Sequence, residues 1–136
     1  MNREPMSAVT PLNNVLVVDD DAELRAMLEE LLLVKGWQVR SVADGASAVR
    51  EIIQAPPDVV LLDTEMSGLG GIEALRTIRA VAPDTAVIMV SGAADVDTAK
   101  RALALGAFDY VAKPVDPIYL TYSVGTALTM KRVEPR

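Results

Sequence analysis

Asp63 closes an apolar run, Val59-Val60-Leu61-Leu62, and three other apolar runs end in groups of complementary chemistry. Val15-Leu16-Val17-Val18 is followed by Asp19, Asp20 and Asp21; Val87-Ile88-Met89-Val90 by Ser91; Tyr110-Val111-Ala112 by Lys113 and Pro114. Taken singly, each has a bland reading: a helix cap, a turn residue before Gly92, a surface lysine. Together they form a set. Clustered carboxylates are costly unless a cation sits among them. Mg2+ suits such a site, because it wants oxygen ligands, keeps some of its waters and shares phosphate oxygens. Asp20 and Asp63 are the candidate side-chain ligands, with the backbone carbonyl of Glu65 as a third and Asp19 behind them. The same parts suit phosphoryl transfer. Asp63 is the candidate nucleophile and would form an aspartyl phosphate. The cation and Lys113 would neutralise charge on the transferring group. No general base is needed, since a carboxylate is ordinarily ionised at neutral pH. The Ser91 hydroxyl is placed to hydrogen-bond a phosphoryl oxygen on Asp63. The Lys113-Pro114 bond is a candidate for the cis form.

Composition narrows the alternatives. The chain has 136 residues, enough for one domain with a real core. It contains no cysteine and no histidine, which removes Cys/His zinc sites, thiol catalysis, disulfides and Ser-His-Asp triads. It also removes any phosphohistidine. A net charge of -6 argues against nucleic acid as a direct ligand. No apolar stretch is long enough to span a membrane, so no membrane insertion is expected. The N-terminus lacks the apolar core of a secretory signal. The absence of cysteine fits a cytoplasmic protein.

The elements that must position these groups follow from periodicity. Residues 1–13 carry two prolines and no pattern, and read as a mobile leader. Residues 14–19 read as strand one. Asp20 and Glu23 have the spacing of a helix cap. Leu24, Met27, Leu28, Leu31 and Leu32 mark helix one, which Gly36 should stop. Residues 37–42 alternate in polarity, as an edge strand does. Helix two, opened by Asp44-Gly45, turns Ala48, Val49, Ile52 and Ile53 inward and ends at Pro56-Pro57. Strand three is residues 58–62. Gly68, Gly70 and Gly71 read as a loop before helix three, with Ile72, Leu75, Ile78 and Val81. Strand four covers residues 86–90. Helix four runs from about Ala94 to Leu105, with Val96, Ala99 and Leu103 on one face and Gly106 as its stop. Strand five covers about 108–112, and helix five starts near Asp116-Pro117 and ends near Lys131. Residues 132–136 read as a tail or the start of a linker. Five alternations of strand and helix predict one α/β domain, a doubly wound parallel sheet with helices on both faces. In open sheets of this kind, chemistry sits at the carboxyl ends of the strands.

The set VLVVDDD, PDVVLLDTEM, VIMVSG and YVAKP resembles the receiver domain of bacterial two-component response regulators, over residues 14 to about 130. Each motif alone is weak; four in this order are specific. The resemblance implies a flavodoxin-like (βα)5 fold with strand order 2-1-3-4-5. It implies a signalling switch, not an enzyme beyond self-phosphorylation and autodephosphorylation. A histidine kinase or phosphotransfer protein would donate the phosphoryl group to Asp63 with Mg2+. Asp19 and Asp20 match the acidic pair, Ser91 the switch hydroxyl, Lys113 the lysine and Tyr110 the aromatic switch position. The face of helix four, strand five and helix five would carry a homodimer or output contacts. Two departures stand out: Met66-Ser67 where the family usually has Met-Pro, and the extra acid Glu65 at the rim. Ser67 should loosen its loop.

Other readings carry less. Asp19-x-Asp21 resembles the opening of aspartate-nucleophile phosphatases of the haloacid dehalogenase type, but Glu23 stands where Thr or Val is expected and no cap domain exists. A flavodoxin-like cofactor site would need a Gly-, Ser- or Thr-rich loop after strand one, where three aspartates stand. A receiver that never takes phosphate is disfavoured, because every ligand type is present. Helix five carries one charge, Asp116, between Val115 and Met130, so part of it should serve as a contact surface. No output domain follows Lys131-Arg132, which fits a stand-alone regulator or a piece of a longer protein.

Overall fold

The computed structural model describes residues 13–66, 68–92 and 95–133. The expected leader through residue 12, Ser67 with its loosened loop, the Ala94 helix start and residues 134–136 lie outside the described residues. Ten elements alternate: β1(Asn14–Val18), α1(Ala22–Val34), β2(Gln38–Val42), α2(Gly45–Gln54), β3(Val59–Asp63), α3(Gly71–Val81), β4(Ala86–Ser91), α4(Val96–Ala104), β5(Asp109–Ala112) and α5(Pro117–Val133). All five strands are parallel, in the order β2-β1-β3-β4-β5, as expected. The alternating β2 is an edge, and the unbroken apolar β3 lies at the centre, buried along its whole length.

Because side chains alternate across a strand, the sheet has two apolar layers. Leu16, Val18, Val60, Leu62, Val87 and Met89 face α2, α3 and α4. Val15, Val17, Val59, Leu61, Ile88 and Val90 face α1 and α5. Each fully buried aliphatic side chain contributes about 1.5–3 kcal/mol, so this two-sided core holds the strand ends in place.

Three local expectations need correction. The α1 cap is Asp21, whose side chain accepts from the Glu23 and Leu24 amides, not Asp20. The helix begins one residue later than the D-x-x-E reading required, and Asp20 is left for other work. In α4, Val96 and Leu103 are exposed and Ala102 is the buried residue. The side resting on the sheet is one step around the helix, where small Ala102 allows close approach. In α2, Ile53 is exposed while Ala48 and Ile52 carry the packing. The stop residues behave as expected: Gly36 and Gly106 have φ of 86° and 103°, which favours glycine.

Candidate functional site

Register explains how distant residues meet. Val18 pairs with Leu62 and Asp63 with Val90, so Asp19 falls beside Asp63, and Thr64 beside Ser91. Ser91 pairs with Ala112, which delivers Lys113 to the same edge. Carboxylate oxygens of Asp19, Asp20 and Asp63 lie within 4.8 Å of one another. Asp19 and Asp63 are buried, whereas Asp20 is exposed at the mouth. The Lys113-Pro114 peptide bond is cis.

The charges are arranged around one ammonium. Lys113 Nζ donates to Asp63 Oδ1 at 3.2 Å and stands 3.4 Å from Asp19 Oδ2. The second contact is an ion pair without hydrogen-bond alignment, since buried Asp19 Oδ2 has no hydrogen-bond partner among the described residues. Burial by itself would pull the Lys113 ammonium down. The hydrogen bond to Asp63, together with the charges of Asp63 and Asp19, outweighs it and holds the group above the usual lysine range. Burial is also the main influence on Asp19 and pushes its carboxyl up. The charge of Asp63 adds to the rise, while the Asp21 amide and Lys113 oppose it. Asp19 is fixed further by the Asp21 N–H on Oδ1, and Arg25 Nη1 donates to its carbonyl at 2.7 Å.

Asp63 Oδ1 accepts from the Glu65 N–H at 3.1 Å as well as from Lys113. Among the described residues both of these bonds fall on Oδ1, and none to Oδ2 is found. Three carboxylates gathered this closely, one with a buried oxygen that has no hydrogen bond among the described residues, fit a small divalent cation. The Glu65 backbone meets Asp63 through its N–H. The Glu65 side chain folds toward Gly92: its Oε1 is 3.2 Å from where a Cβ on that glycine would sit.

The expected residues Asp19, Asp20, Asp63 and Lys113 therefore converge. Ser91 stands at the same edge, but its Oγ accepts from Thr64 Oγ1 at 2.7 Å. Tyr110 packs against the α2-α3-α4 layer with its hydroxyl buried and, among the described residues, without a hydrogen-bond partner. Two residues escaped sequence reasoning. Thr64 follows Asp63 and shares the Leu62 face by simple alternation, a signal that was legible. Gly71 looked like loop, yet it opens α3 against the backbone of β3; a Cβ there would stand 2.5 Å from Thr64 Cα and 2.7 Å from the Asp63 carbonyl oxygen.

Residues 15–124 match the family model described as the response regulator receiver domain. Regulatory protein AtoC of Escherichia coli K12 is 36% identical over 126 residues, covering 93% of this chain and 27% of AtoC. The DNA-binding response regulator MtrA of Mycobacterium tuberculosis H37Rv is 38% identical over 128 residues, covering 93% of this chain and 55% of MtrA. The chain thus spans little more than half the length of MtrA and about a quarter of AtoC. The crystal structure of a CheY-like response regulator receiver domain protein from Methanospirillum hungatei JF-1 superposes with a TM-score of 0.87 at 27% identity, covering 91% of this chain and 99% of that one.

Proposed function

The chain belongs to the response regulator receiver domain family, and on that premise we propose that it is a switch set by phosphorylation of Asp63. The observation that carries this reading is the contact of Lys113 Nζ with Asp63 Oδ1 inside a cluster of three carboxylates. A carboxylate oxygen of Asp63 attacks the phosphorus of a phosphohistidine on a histidine kinase or phosphotransfer protein. The O–P bond forms, the N–P bond breaks, and the departing imidazole nitrogen keeps its electron pair. Lys113 neutralises charge on the incoming oxygens. Asp20, Asp63 and the Glu65 carbonyl would hold Mg2+, with Asp19 orienting the set. A bound Mg2+ supplies positive charge to the phosphoryl oxygens.

Downstream, Ser91 and Tyr110 are the switch pair, and phosphorylation shifts a population between two arrangements of one fold. The face built by α4, β5 and α5 is the proposed output or homodimer surface, supported by exposed Val96, Leu103 and Tyr119. Exposed Ile118, Tyr122 and Met130 lie instead on the opposite flank of α5, in a groove with Lys35 and Trp37. No helix among the described residues is long and apolar enough to cross a membrane, and we place the domain in the cytoplasm, where kinase and output proteins meet. Its boundaries are set at residues 14–131, within a helix that runs on to Val133.

The test is uptake of a phosphoryl group from acetyl phosphate, read as a gain of about 80 Da by intact mass. Wild type is expected to label with Mg2+ and to lose at least about 100-fold in rate with chelator. Asp20→Asn should label slowly at any Mg2+ concentration that saturates wild type. Labelling indifferent to both metal and Asp20 would refute the metal assignment.

A further inference from the structure

The switch hydroxyl of Ser91 is bonded to a residue that the chemistry above leaves unused, Thr64, directly beside Asp63. Thr64 is the residue after Asp63. Thr64 is one residue past the end of β3, but its N–H still donates to the Val90 carbonyl at 3.2 Å, so the strand's alternation carries Thr64 to the side of Leu62, toward α2, α3 and α4, and Asp63 to the side of Leu61, toward α1 and α5. Ser91 follows the same alternation as Met89, on the Thr64 side, and is buried. The bond between the two hydroxyls is 2.7 Å long. It therefore engages Ser91 on the face away from the Asp63 carboxylate.

We propose that Thr64 is a positioning residue that latches the Ser91 hydroxyl in the resting arrangement and so sets how readily the switch turns. The proposal rests on the phosphoacceptor reading of Asp63. To hydrogen-bond a phosphoryl oxygen on Asp63, the Ser91 side chain must turn toward the other side of the sheet and leave Thr64. The lost bond is a fixed cost of the active arrangement. Where a binding-competent state is only partly populated, apparent affinity falls by that fraction. Removing the Thr64 hydroxyl should lift this restraint without touching Asp63, Asp20 or Lys113. Valine is the apt replacement, since it keeps the branched shape at a half-buried position.

The experiment is a titration of beryllofluoride, an acyl-phosphate mimic, in saturating Mg2+, followed by 19F NMR. Thr64→Val is expected to bind about fivefold more tightly than wild type, the factor that one neutral hydrogen bond is worth. Thr64→Ser, which retains a hydroxyl, should bind as wild type does. In a Ser91→Ala background, adding Thr64→Val should change nothing, because the latch has no bolt to hold. Should Thr64→Val not fold, Thr64→Ala carries the same comparison. Unchanged or weaker binding by Thr64→Val, or a gain that persists without the Ser91 hydroxyl, overturns the latch alone. Failure of wild type itself to bind the mimic overturns the phosphoacceptor reading, and the latch with it.

Discussion

An Asp63→Asn variant is expected to take up no phosphoryl group from acetyl phosphate, a loss of at least about 10³-fold in rate, while still folding. Asparagine keeps the shape of aspartate and one carbonyl oxygen. That oxygen can still accept from the Glu65 N–H and from Lys113, the two donors that hold Asp63 Oδ1. What disappears is the anionic oxygen, and a neutral amide is a poor nucleophile toward phosphorus. Stability should change little, because two effects oppose each other. Removing one of three clustered carboxylates relieves repulsion. Lys113 loses part of the pairing that offsets its burial. Intact-mass labelling and a thermal melt on the same sample separate the outcomes. A native-like melt with no mass gain is the expected pair; a native-like melt with wild-type labelling would remove Asp63 from the mechanism.

Gly71→Ala is expected to cost about 3 kcal/mol of stability, at the upper end of overpacking effects. Its Cβ would meet Thr64 Cα at 2.5 Å, the Asp63 carbonyl oxygen at 2.7 Å and Thr64 carbonyl carbon at 3.0 Å. All three are backbone atoms of the segment that presents Asp63, so no side chain can swing away. Alanine is the better helix former by up to about 1 kcal/mol, which is too little to offset such a clash. Relief requires α3 to withdraw from the end of β3, which would also displace Asp63. Gly70→Ala is the control: there a Cβ meets only Glu73 Oε1, at 3.9 Å, and φ is an ordinary -68°. Urea unfolding should show a large drop in midpoint for Gly71→Ala and a much smaller one for Gly70→Ala, where the only loss is a glycine at the N-cap of α3. Equal midpoints for the two variants would show that the contact at β3 is looser than described.

Much of this site could be read from the chain because strands announce themselves. Val59 to Leu62 and Val15 to Val18 are unbroken apolar runs, and a run buried on both faces belongs inside a parallel sheet. The polar residue that ends such a run is then at the functional edge. Asp19, Asp63, Ser91 and Lys113 were all legible in this way. Contacts decided by register were not. The sequence does not state that Asp63 pairs with Val90, and on that pairing depends whether Thr64 meets Ser91. Helix faces at the margin of the sheet were also hard to read. Val96, Ala99 and Leu103 form a plausible stripe, but tertiary packing turns Ala102 inward. Gly71 was misread for a related reason. Glycine in a loop and glycine at a close approach look alike until the neighbouring backbone is in view.

The central claim is that a single carboxylate, Asp63, carries the phosphoryl group. It is tested most directly by trapping the labelled wild type with borohydride, which reduces an acyl phosphate to the alcohol, and sequencing the peptides by mass spectrometry. The account predicts homoserine at position 63 in Mg2+-containing samples and at no other position. Homoserine at position 19 or 20, with position 63 left as aspartate, would contradict it.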